Sequence, residues 1–276
     1  MKKCVQHLKN HQGFTLLEII IVVVILGVLA IGVTTYIGFG TQVYTDATDR
    51  TEVVSSARFS IERLNREIRS ALPNSVRVNG NTAKQCIEFM PIVLSTIYTD
   101  IAVLPEPSTA AIKVIAFDEE TFNRGFSPAL YVGVYILNAM ALYDGTNNKV
   151  FQLANSNITK AGNEWTISLD SAQTFAEESP TKRLYFFNDA VSYCIQNTRL
   201  TRHQNYSRNN DNTPSTSGVL MAEDINIHDN NGVLVAPFKL TKTTQLRNAM
   251  VLINLTFDHN NEKVVFNNEI QVLNVP

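Results

Sequence analysis

From Leu16 to Val33 the chain is an almost unbroken run of Leu, Ile, Val, Ala and Gly, interrupted by one ionisable side chain, Glu18. A helix needs roughly 20 such residues to cross the hydrocarbon core of a bilayer. A carboxylate placed there costs roughly 2.5–3.5 kcal/mol on insertion scales and is expected to be functional and partnered. No Lys, Arg or His lies between Phe14 and Asp49, so the partner has to come from outside the segment. Cleavage of the chain just before Phe14 would create one, a new α-amino group.

Residues 1–13 carry Lys2, Lys3 and Lys9 and no acid, which makes them a short basic leader. Basic residues flanking a first span stay cytoplasmic, so everything after the span is expected outside the inner membrane. The run Gly13-Phe14-Thr15-Leu16-Leu17-Glu18, followed by the apolar stretch, is similar to the class III signal of type IV pilins and the related secretion pseudopilins. The resemblance implies that prepilin peptidase cuts after Gly13 and that Phe14 becomes the N-methylated terminus. It also implies that the Glu18 carboxylate pairs with the terminal amine of a neighbouring subunit during assembly. The implied partners are prepilin peptidase, other minor pilins and the major pilin, the inner-membrane assembly platform, and membrane lipid before assembly. No cofactor is implied. Ordinary signal-peptidase cleavage after Ala30 competes with this reading, because Val28-Leu29-Ala30 meets the small-residue rule. A simple signal peptide would not carry Glu18.

Downstream the pattern turns amphipathic without a loop. Val53, Ala57, Ile61, Leu64, Ile68 and Leu72 recur every three or four residues, and charged residues fill the other side. Arg58 with Glu62, Glu62 with Arg66, and Arg63 with Glu67 are expected as four-residue ion pairs. Pro73 is expected to stop the helix after Leu72. The organisation read from the chain is a leader at 1–13, a transmembrane or filament-core helix at 14–37, its amphipathic continuation at 38–72, and a β-rich periplasmic head at 73–276. In the head, segments 85–91, 112–117, 130–137, 165–169, 183–188, 191–196, 250–257 and 263–275 are rich in Val, Ile, Tyr and Phe and read as strands. The last two, joined by His259-Asn260-Asn261-Glu262, read as a hairpin. Residues 219–224 fit helix or strand, and the polar segment 207–218 reads as a loop. The predicted fold class is α+β: a long N-terminal helix packed on an antiparallel β-rich domain, pilin-like.

Loss of the leader removes Cys4 and leaves Cys86 and Cys194 as the remaining thiols. In an oxidising periplasm a bridge between them is favoured. Closing a loop of about 109 residues would contribute on the order of 4–5 kcal/mol in the chain-entropy model. The alternative is two buried free thiols in separate strands. Without the leader lysines the formal net charge moves from −2 to −5, a poor balance for nucleic-acid binding.

The chain has no GxSxG, HExxH, P-loop or CxxC motif, and His203, His228 and His259 are scattered, as surface or turn residues usually are. An enzyme is not expected, and no metal site is read. The stretch from Asp224 to Asp229 alternates acids and amides but lacks the sixth-place Gly and final Glu of an EF-hand. Because some pseudopilins bind calcium in a C-terminal loop, the resemblance directs attention to Asp211, Asp229 and Asn230. Segments 60–76, 218–225 and 269–276 are similar to those of the larger minor pilins and pseudopilins. The size of the head favours a minor subunit at the filament tip over a major one. A tip pseudopilin of a type II secretion system shares every N-terminal feature. A membrane-tethered enzyme or receptor is a third possibility, and it requires a pocket of clustered polar groups in the β domain.

Overall fold

The computed structural model describes residues 13, 15–126, 129–143, 147–206, 214, 217–229, 231–241, 249–260 and 262–272, and of residues 155 and 156 the backbone only. Phe14, Asp211, Asn230 and most of the polar segment 207–218 lie outside them. Two compact units are distinguished, Met1–Thr51 and Glu52–Pro276.

Helix α1 spans Leu16–Arg69. Along its first two thirds threonine hydroxyls are satisfied within the helix: Thr35 Oγ1 donates to the Ile31 carbonyl at 2.9 Å. Thr48 and Thr51 do the same to Tyr44 at 2.9 Å and Ala47 at 2.8 Å. From residue 52 onward the expected stripe is the buried one, with Ala57, Ile61, Leu64 and Ile68 at 0–7 % exposure.

The stripe packs into a core with two antiparallel sheets. The first runs β1 (Arg77–Gly80), β2 (Lys84–Phe89), β9 (Val191–Gln196), β10 (Arg199–His203) and β11 (Val219–Ala222), in that spatial order. The second centres on β14 (Ala249–His259), flanked on one side by β12 (Ile225–Asn226) and β13 (Phe238–Thr241) and on the other by β15 (Glu262–Val272). The β14–β15 hairpin forms as expected, in register from Ala249↔Val272 to His259↔Glu262.

Between β2 and β9 the chain builds a closed six-stranded antiparallel barrel. Its strands are β3 (Ile92–Asp100), β4 (Thr109–Ile115), β5 (Tyr131–Val134), β6 (Val150–Ala161), β7 (Glu164–Gln173) and β8 (Arg183–Phe187). Around the barrel they run β3-β4-β7-β6-β5-β8, closing by β8 on β3. Two short helices, α2 (Glu119–Arg124) and α3 (Ala139–Tyr143), lie in the connections before and after β5. The Asp118 carboxylate caps α2 by accepting from the Glu120 N–H at 3.2 Å. The interior is filled by side chains, among them Ile112, Val132, Ile167, Leu184 and Phe186. A third, smaller cluster joins barrel to base through Leu72, Met90, Leu142, Tyr185 and Phe187.

Closure leaves this sheet no edge. The β-rich α+β fold agrees with the reading of the sequence, but the barrel as a separately cored body was not foreseen. Strands β3 and β6 of the barrel and β1, β10, β12 and β13 of the two sheets were missed, and 219–222 resolves as a strand.

Helix α1 ends at Arg69, three residues before the expected stop. The Leu72 N–H donates to the Met90 carbonyl at 2.8 Å and the Ile92 N–H to the Ser70 carbonyl at 3.0 Å, so the segment is already paired with the entrance to the barrel. Of the expected ion pairs only Arg63 with Glu67 forms, at 3.0 Å. Arg58, Glu62 and Arg66 are exposed and make no ion pair among the described residues. Exposed pairs on a helix contribute a few tenths of a kcal/mol, too little to order two long side chains. Glu67 is held because Arg202 from β10 also reaches it, at 2.9 Å.

Candidate functional site

The start of α1 is built by its own residues. Thr15 stands at the N-cap: its Oγ1 accepts from the Glu18 N–H at 3.3 Å, and its carbonyl accepts from the Ile19 N–H at 3.2 Å. Thr15 and Glu18 therefore occupy the first and fourth places of a capping-box sequence. An acid in the first turn also sits favourably against the helix dipole. This local role for Glu18 is legible in the spacing and was overlooked. It explains why an acid is tolerated at a helix start, but not why a membrane-length apolar helix should begin with one.

Gly13 is exposed, with nothing within 4 Å of where a Cβ would stand. Phe14, the residue expected to become the new terminus, lies outside the described residues. Glu18 is exposed and has no ion-pair partner among the described residues.

The helix that follows presents an apolar surface all round. Fourteen Leu, Ile and Val side chains from Leu16 to Val33 are each 48–79 % exposed. Burying a side chain of this kind is worth roughly 1.5–3 kcal/mol. Their sum exceeds the ~5–15 kcal/mol by which a whole domain is stable, so the surface has to be covered by lipid or by other helices. The helix is long and apolar enough to cross a membrane, with mean hydropathy 3.1 in its best window and none of that window buried.

Among the described residues the head shows two polar centres and a cleft. The first centre links α1 to the first sheet. Glu67 accepts from Arg63 and, with both carboxylate oxygens, from Arg202 Nε at 3.1 and 2.9 Å. The ring of Tyr193 lies 6.0 Å from the Arg202 guanidinium. Burial and the nearby Glu67 charge push the Tyr193 phenol well above its ordinary pKa.

The second centre lies at the root of the barrel. Glu88 is 4 % exposed and pairs with Arg77 Nε from the neighbouring strand. Its other oxygen accepts from the Tyr206 hydroxyl at 2.7 Å, and that hydroxyl also meets Ser192 Oγ. The Arg77 guanidinium lies 3.5 Å over the ring of Tyr143 in α3, whose hydroxyl donates to the Ser75 carbonyl at 3.1 Å. Desolvation, reinforced by the Glu88 charge, drives the Tyr143 and Tyr206 phenols far above the usual range.

Nearby, Cys86 and Cys194 are joined by a disulfide across directly opposed positions of β2 and β9. Both residues are at most 1 % exposed.

A cleft of ≈ 700 Å³ lies beside this root, lined by Leu137, Met140, Phe238, Leu240 and Val272 among others. Among the described residues its polar lining is Asn74, Arg77, Asn138 and Lys239, with no acid, thiol or imidazole. Asn74 is engaged with the Ile136 carbonyl at 2.9 Å and Arg77 with Glu88.

The three histidines beyond the leader stay apart. His203 is buried in β10 against Thr201 Oγ1 at 2.9 Å, contrary to the expected surface position, because the ring packs over Gly218. His228 is exposed, and His259 pairs with Asp224 at 2.7 Å. Among the described residues no three His, Cys, Asp or Glu side chains are grouped to hold a metal. The Asp229 carboxylate is taken up by its own turn, accepting from the Asn231 and Val233 N–H groups at 2.8 Å.

In comparison with known families, the model described as the prokaryotic N-terminal methylation motif matches residues 8–34. Neither a curated protein nor a solved structure matches the chain. The match covers the end of the leader from residue 8, Gly13, Phe14, Glu18 and the apolar run, so the N-terminus is type IV pilin-like. Such a motif implies processing by prepilin peptidase and assembly with other pilins, and with the apolar helix it indicates membrane anchoring through the N-terminus.

Proposed function

We propose that this chain is a minor pilin, a structural and assembly protein that helps to initiate or cap a type IV pilus after cleavage between Gly13 and Phe14. It resembles the MshO-type subunit of the mannose-sensitive haemagglutinin pilus, and that pilus is the one proposed. The observation that carries the reading is Glu18, a carboxylate with no ion-pair partner among the described residues, at the start of an exposed apolar helix and inside the methylation motif. A neighbouring subunit's methylated Phe14 amine would supply the missing charge. Helix burial then provides the affinity, and the ion pair sets the axial register. Before assembly the chain sits in the inner membrane by one span with its head in the periplasm; after assembly it occupies the pilus tip. A large head at every position of a thin filament would be crowded, which supports the tip.

The test is intact mass and N-terminal analysis of the protein from its native host, with and without prepilin peptidase. A mature chain beginning at N-methylated Phe14 only when the peptidase is present supports the reading. A chain beginning at Ile31, or one retaining Met1 in both strains, refutes it. Glu18→Ala is expected to leave processing intact and to lower pilus number. The competing assignment, a tip pseudopilin of a type II secretion system, is separated by which pilins co-purify and whether secretion or piliation fails in the deletion strain.

A further inference from the structure

The barrel is a guest within the first sheet. All six of its strands fall between β2 and β9, which are neighbours paired from Lys84↔Gln196 to Phe89↔Val191. The chain enters through residues 90–91 and leaves through 188–190, so the barrel hangs from the base by two short necks. The two necks are not equivalent. Strand β2, which begins at Lys84, runs back through β1 to the end of α1 at Arg69. Strand β9 leads onward to β10 and eventually β15, and by backbone alone it reaches α1 only by going back through the barrel. Without a bridge, tension applied to the barrel and resisted at α1 would be carried covalently by one neck and on the other only by hydrogen bonds and packing.

The disulfide removes that asymmetry. It ties Cys194 to Cys86 three residues inside each neck, at a separation of 108 residues that encloses the whole barrel. Both residues are shielded from solvent. We propose that Cys86–Cys194 is a tension clasp: it connects the exit neck covalently to α1, limits how far the barrel can be drawn out, and keeps β9 on the base when the head is pulled. The inference rests on the reading of the chain as a filament subunit, whose head is pulled against its helix. The noncovalent clasp beside it has the same placement, since the Arg77–Glu88 and Ser192–Tyr206–Glu88 contacts lie at the same end of the sheet.

The experiment is single-molecule pulling on the detergent-solubilised full chain, between a handle at the N-terminus and a peptide tag inserted in the exposed β6–β7 turn at Gly162. With the bridge closed, the shorter arm of the ring becomes taut first, about 32 residues from Gly162 to Cys194, or roughly 115 Å at ~3.6 Å per residue. With the bridge open, the arm from Cys86 to Gly162 extends instead, about 76 residues or roughly 270 Å. The expected result is a barrel-opening step more than twofold longer in molecules whose bridge has been reduced, as confirmed by thiol labelling, and the same long step in the Cys86→Ser/Cys194→Ser variant without reductant. The wild-type comparison stands even if the variant fails to fold, because oxidised and reduced molecules come from one folded preparation. Equal extension in both states, or detachment of α1 from the base before the barrel opens, overturns the proposal. Since no filament is involved, failure here leaves the processing and Glu18 tests of pilin function untouched, and failure of those tests leaves the clasp measurement intact.

Discussion

Removal of the Arg77 charge offers a sharp test of how the barrel is joined to its base. The Arg77 and Glu88 side chains are 15 % and 5 % exposed, and they face each other across β1 and β2 at the register pair nearest the neck. Arg77→Met leaves the Glu88 carboxylate buried, with the Tyr206 hydroxyl at 2.7 Å as its remaining side-chain partner among the described residues. Breaking a buried pair from one side costs about 3–5 kcal/mol. The remaining Tyr206 hydrogen bond places the expected loss near the lower end, about 3 kcal/mol, which multiplies the unfolded fraction by roughly 150. Replacing both partners, Arg77→Met with Glu88→Leu, removes the stranded charge, and Tyr206 keeps Ser192, so the double variant is expected to lose only about 1 kcal/mol. Urea unfolding of the oxidised protein reads both, with the sole tryptophan, Trp165 in β7, reporting the barrel and circular dichroism reporting the whole. A coupling of at least about 2 kcal/mol is expected from the double-mutant cycle. Single-variant losses below about 1 kcal/mol, or strictly additive losses, would show that the pair behaves as a surface contact and that the root of the barrel is held by the apolar cluster alone.

Other expectations follow from the same packing. Leu64→Ala, at a fully buried position of the α1 stripe, is expected to cost about 3–5 kcal/mol in urea unfolding, whereas Phe59→Ala on the exposed face should change stability by less than about 0.5 kcal/mol. Tyr143, Tyr193 and Tyr206 hold their protons in the folded state above the ordinary phenol range, chiefly through burial. The unfolded chain therefore loses those protons first as pH rises through about 10, and stability falls with a slope approaching ~1.4 kcal/mol per pH unit for each of them. It is fully present below that pH. Urea midpoints at pH 9 and 11 should show this decline, and Tyr206→Phe should flatten it; an unchanged slope would argue against titration of that phenol. Gly218→Ala would bring a Cβ to 2.7 Å from the His203 ring and 2.9 Å from Thr201 Cβ, and a loss of about 1–3 kcal/mol in thermal unfolding is expected.

Several parts of this protein are written locally in its sequence. Hydropathy and a single acid mark the apolar helix, and a period of three to four residues marks Ala57, Ile61, Leu64 and Ile68 as its buried stripe before any partner is known. The β14–β15 hairpin is legible because the Asn-rich turn and both strands are contiguous. The Thr15–Glu18 cap is equally local and could have been read from its spacing. What tertiary structure decided was everything that depends on residues far apart meeting. Barrel closure requires β3 to pair with both β4 and β8, and no periodicity within β3 specifies that partner. Glu88 and Arg202 look like ordinary surface charges in sequence, yet one is buried by Arg77 and Tyr206 and the other is recruited to Glu67 on the helix. The two thiols could be counted from the chain, but their position at the neck of an inserted barrel comes from the pairing of β2 with β9. Local patterns depend on backbone geometry that repeats within a few residues; strand partners and buried charges depend on the loop closures the whole chain accepts, which is why only the fold reveals them.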